Sequence, residues 1–141
     1  MAITTRLDKV VTLREREAEK KLTVWTDAGR AAKQSELRLR DARVQASADN
    51  RKSGAAYEWD VIEMAHRTAL VEVRVAEQSA QKARAEEAKA RQAHLAAHTQ
   101  AETMRRVADT RREELQKEED RIETRKVDDL TSMMFSHRKK A

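Results

Sequence analysis

The sequence predicts an all-α fold, an antiparallel two-helix coiled-coil hairpin whose longer second helix overhangs the first. Three observations lead there. Charged residues make up 39% of the 141-residue chain and aromatics 3%, with two Gly, no Pro and no Cys. Sheets and α/β domains of this size need turns, and turns need Gly and Pro. Apolar residues recur at alternating three- and four-residue spacing, which is the seam of a coiled coil. One stretch alone, 48–54, gathers Asp, Asn, Ser and Gly together, which is loop chemistry.

Helix one is expected over about 4–48. Thr5 and Asp8 resemble a capping box with Asp in place of Glu. A seven-residue repeat follows: Val11, Ala18, Trp25, Ala32, Leu39 and Ala46. Leu7, Leu22, Ala28 and Ala42 fall between these positions, and Arg14, Lys21 and Ser35 interrupt the seam with polar groups. Gly29 sits inside the helix at a cost of about 1 kcal/mol relative to Ala. It either permits a close approach or is merely tolerated.

The turn is expected at about 49–55, with Asn50 or Ser53 capping the next helix. Helix two is expected over about 56–135, followed by a basic tail over 136–141. Its seam reads Ile62, His66, Ala69, Val73, Ala76, Ala80, Ala83, Glu87, Ala90, His94, Ala97, Ala101, Met104 and Ala108, then Arg111, Leu115, Glu118 and Ile122. Alanine dominates. Each Ala buries three fewer carbons than Leu, about 2.4 kcal/mol less at about 0.8 kcal/mol per CH₂.

A turn centred near Asn50 pairs helix two only as far as about Ala101. The thirty-odd residues beyond it form an overhang about 50 Å long at 1.5 Å per residue. Its apolar stripe persists through Met104, Ala108, Leu115 and Ile122 to Leu130, Met133, Met134 and Phe135. A stripe with nothing in the chain to cover it is expected to meet another molecule.

Composition excludes several functions. No stretch is long and apolar enough for a membrane span. No apolar stretch near the N-terminus resembles a signal peptide, so the chain is expected to be cytoplasmic. Thirty Lys and Arg face twenty-five Asp and Glu, interleaved along the chain, for a net charge of +5. Glu17–Lys21, Glu36–Arg40, Glu63–Arg67, Glu87–Arg91, Glu102–Arg106 and Glu113–Lys117 are spaced to support a solvated helix. Interleaving of this kind speaks against a nucleic-acid partner. Two glycines cannot build a phosphate-binding loop, and a two-helix rod offers no dry concave site, so no enzyme, catalytic residue or cofactor is expected.

Three clusters stand out. His94 and His98 share a helix face at a spacing that metal ligands use, but seam or flank histidines account for them better, and no metal site is expected. Tyr57, Trp59, Ile62 and Met64 cluster just after the turn, either as a cap on the hairpin end or as a partner-docking tip. Arg121, Glu123, Arg125, Lys126, Asp128, Asp129 and Leu130 form a dense two-sign stretch, and His137, Arg138, Lys139 and Lys140 make the tail basic.

That C-terminal stretch carries a resemblance. An Arg, then spaced Glu and Lys, then an Asp pair leading to an apolar residue occur in the order Arg121, Glu123, Lys126, Asp128, Asp129, Leu130. A Trp soon after a Gly-containing turn recurs as Gly54 and Trp59. With the short and long helices, the chain resembles the FliJ/YscO group, the central-stalk proteins of type III secretion, flagellar or injectisome. The face after the Trp carries Ala65, Ala69 and Ala76 where flagellar members can carry larger apolar residues. The resemblance implies a mechanical role at the inner-membrane export apparatus. Such a protein associates with the hexameric export ATPase, promotes its assembly and activity, links it to the export gate, and handles export chaperones. It implies that Arg121, Glu123, Arg125, Lys126, Asp128, Asp129 and Leu130 meet the ATPase. A monomer is the expected state. The main rival is a structural coiled coil that covers its overhang by forming homo-oligomers.

Overall fold

The computed structural model describes residues 3–48 and 56–140, with residues 56 and 57 given by backbone alone. Two helices, α1 (Arg6–Ser47) and α2 (Ala56–Lys140), account for nearly all of them, and no strand occurs among the described residues. The expected turn at 49–55, with Asn50, Ser53 and Gly54, lies outside the described residues.

At the start of α1 the Thr5 backbone N–H donates to Asp8 Oδ2 at 2.7 Å, and the Asp8 N–H donates to the Thr5 carbonyl at 3.1 Å. The buried Thr5 hydroxyl has no partner, so only the carboxylate half of the capping box forms. At the other terminus α2 continues to Lys140, beyond the end expected at about 135. The residues expected as a separate basic tail are its last turn. His137, Arg138, Lys139 and Lys140 suit that position, because cations are favoured at a helix C-terminus.

The chain divides into two compact units, Ala18–Ala96 and the pair Met1–Glu17 with Ala97–Ala141. In each, a stretch of α1 packs antiparallel against a stretch of α2, making the hairpin. In the first unit Ala18, Ala32 and Leu39 of α1 and Ala80 and Ala90 of α2 are buried. Trp25, Ala28, Ser35, Ala42 and Ala46 are half-buried, as are Ile62, His66, Ala69, Val73, Ala76, Ala83, Glu87 and His94. In the second unit Ala101 and Ala108 are buried and Leu7, Val11, Arg14, Ala97, Met104 and Leu115 half-buried. The repeat therefore marks the seam. Its exceptions are Lys21, Leu22, Arg111, Glu118 and Ile122, all exposed.

Charge pairs fix the register. Asp8–Arg112 (2.6 Å) and Glu15–Arg105 join the helices in the second unit, and Glu36–Arg84 (2.7 Å) and Arg43–Glu77 (3.1 Å) in the first. The residue numbers of every pair total 120. Sliding α2 by one heptad keeps Glu15 and Glu36 against bases, Arg112 and Arg91, but sets Asp8 against Glu119 and Arg43 against Arg84. Sliding it the other way keeps Asp8 against Arg105 but sets Glu36 against Glu77 and Arg43 against Leu70, so only the observed register satisfies all four. Each exposed pair contributes little by itself. Together they penalise the neighbouring registers, as flanking charges do in coiled coils generally.

This register corrects the expected extent of pairing. A symmetric turn at Asn50 leaves α2 unpaired after about Ala101, whereas the structure pairs it through Arg112. That side chain donates to Asp8, to Asp109 at 3.0 Å and to the Ile3 carbonyl at 3.2 Å. At a total of 120, Ser47 stands opposite about residue 73, well inside α2. The six intrahelical pairs expected from sequence are also mostly absent among the described residues. Glu63–Arg67 forms at 2.8 Å, while Glu36 reaches across to Arg84 instead of Arg40.

Candidate functional site

From Gln116 to Lys140 every residue of α2 is exposed. The second unit thus ends in an uncovered helix of about 37 Å at 1.5 Å per residue. Ile122, Val127, Leu130, Met133, Met134 and Phe135 are all on its surface, Ile122 at 46% and Met134 at 67% exposure. Among the described residues no ion pair involves a side chain beyond Glu114. Lys139 lies 5.4 Å from the Phe135 ring centroid, and the Thr124 and Thr131 hydroxyls donate back to the Asp120 and Val127 carbonyls.

The seven residues expected to meet an ATPase all stand on this exposed helix, but not on one face. At helical spacing Arg121, Arg125 and Asp128 line one side. Glu123, Lys126 and Leu130 line the opposite side, and Asp129 lies between. The stretch therefore presents two surfaces, one purely charged and one mixed with apolar groups.

The aromatic tip divides as well. Ile62 is half-buried and lines a groove of about 310 Å³ with Gln45, Ala48, Val61, Ala65, His66 and Ala69. Trp59 (48% exposed) and Met64 (71% exposed) point outward. The side chain of Tyr57 lies outside the described residues. Trp59 and Met64 thus give this end of α2 an exposed apolar surface.

The two histidines do separate work. His94 is half-buried and stacks on Trp25 with ring centroids 5.5 Å apart, its Nδ1 3.2 Å from the Ala18 carbonyl. His98 is exposed beside Glu102 at 3.8 Å. Among the described residues no three His, Asp or Glu side chains stand close enough to hold a metal ion. No helix among them is long and apolar enough to cross a membrane.

Two local features were not readable in the sequence. Asp8 serves as both cap and cross-helix partner, and its carboxyl is held below the usual value of about 3.8, first by the Thr5 N–H and further by Arg112. Gly29 lies on the same heptad phase as Asp8, Glu15, Glu36 and Arg43 but carries no charge to continue the ladder. A Cβ there would sit 3.5 Å from Glu87 Oε1, an ordinary contact. No helix approach in this structure requires the glycine. No known protein family, curated protein or solved structure matches the chain.

Proposed function

We propose that the protein is a non-catalytic stalk or adaptor of a type III export apparatus, flagellar or injectisome. It associates with the hexameric export ATPase, promotes its assembly and activity, and links it to the export gate and export chaperones. It works from the cytoplasmic side, peripheral to the inner membrane. The observation supporting this reading is the uncovered end of α2, where the two-sign stretch Arg121–Leu130 is fully exposed and free of ion pairs. The resemblance of that stretch to the FliJ/YscO pattern supplies the partner.

The mechanism needs no chemistry from the chain. A helix end with unlike faces presents different charges to the different subunits of a ring. If it binds one subunit state better than another, it shifts the populations of those states. Arg121, Arg125 and Asp128, sharing one face, are the contacts that face supplies. Reversing Arg121 and Arg125 to Glu lowers ATPase stimulation several-fold while leaving helicity by circular dichroism unchanged. Undiminished stimulation by that variant removes the assignment.

A further inference from the structure

We infer that the uncovered end of α2 pairs with the same segment of a second copy, antiparallel about a two-fold axis. The observation that carries this is the polarity of the segment. Residues 113–120 hold five acids and one base, Glu113, Glu114, Glu118, Glu119 and Asp120 with Lys117. The last turn holds His137, Arg138, Lys139 and Lys140. These blocks attract each other but cannot meet within one copy, because α2 runs unbroken between them to Lys140. A parallel partner sets acid against acid and base against base. An antiparallel partner sets each block against its opposite.

The apolar residues select the register. Val127, Leu130 and Met134 follow three-four spacing on one face, all exposed at 60% or more. Val127 and Leu130 of the two copies cover each other when residue numbers total about 257, the antiparallel counterpart of a coiled-coil seam. Val127 then meets Leu130 of the second copy twice over, and Met134 lies opposite the stem of its Glu123. On the flanks Asp120 meets its Arg138, and Glu119 its His137. Two-fold symmetry repeats each contact. The charged face with Arg121, Arg125 and Asp128 remains outside the pair. The pairing stands apart from the stalk reading, since it describes the chain in the absence of any ATPase.

Sedimentation equilibrium of the full chain across the micromolar range tests it. The expected result is a reversible monomer–dimer equilibrium. Asp120→Arg converts two symmetric attractions into repulsions and weakens the dimer about tenfold. Arg138→Asp does the same, and combining the two substitutions restores the original affinity. Leu130→Lys weakens the dimer through the apolar contact alone. A chain that stays monomeric throughout overturns the inference. So does a dimer indifferent to these substitutions, or a double variant no tighter than the single ones.

Discussion

Asp8 shows how much one side chain carries in a structure with so thin a core. Its two oxygens close the start of α1 and tie it to Arg112 on α2. Thr5, which the sequence pattern makes its equal partner, leaves its hydroxyl unpaired. Asp8→Asn therefore lowers the thermal midpoint more than Thr5→Ala, which stays within about 0.5 kcal/mol of the parent. The carboxyl's depressed pKa sets the pH dependence. Its contribution is present above about 3.8 and is lost as pH falls through the lower folded value. Asp8→Asn removes that part of the acid transition, measured by circular dichroism against pH. Gly29 points the other way. With room for a Cβ at ordinary contact distance, Gly29→Ala raises stability by about 0.5–1 kcal/mol in urea unfolding. A loss on this substitution means that the helices need the glycine for close approach.

The two helices and their facing sides were legible in the sequence, because a seven-residue repeat is a local signal that survives any register. From Val11 to Ala46 and from Ile62 to Ala108, the repeat positions are buried or half-buried. Register was not legible. A turn composition locates the chain reversal, but the alignment of the helices depends on charges far apart in sequence. Pairing was thus expected to end near Ala101 and instead runs to Arg112, and the half-buried residue there is Arg112 rather than Arg111. Seam position Leu22 is exposed although it fits the repeat. The candidate contact stretch was legible as exposed and charged. Its division into two faces follows from the helix continuing unbroken through it. The charge ladder makes its own prediction. Glu36→Arg or Arg84→Glu alone lowers stability, and the double swap recovers most of the loss, with a coupling of about 0.5–1 kcal/mol in unfolding by denaturant. Zero coupling means the pair contributes nothing to alignment.

For the molecule as a whole, an alanine seam and an uncovered helix end are two sides of one design. Six of the seven buried residues among the described ones are Ala, so close helix packing comes with little apolar burial. Larger apolar residues such as Leu130, Met133, Met134 and Phe135 lie outside the seam, on the exposed end of α2, where a second molecule can cover them. Both the stalk reading and the self-pairing draw on that separation, and both depend on the register that leaves α2 bare after Leu115. Because the chain has no Cys, that register can be tested by introduced pairs and a short bismaleimide. Cysteines at Glu36 and Arg84 are expected to join rapidly within one chain, and those at Glu36 and Glu77 or Glu36 and Arg91, one heptad away, slowly. Faster joining of either displaced pair contradicts the alignment and moves the start of the uncovered end.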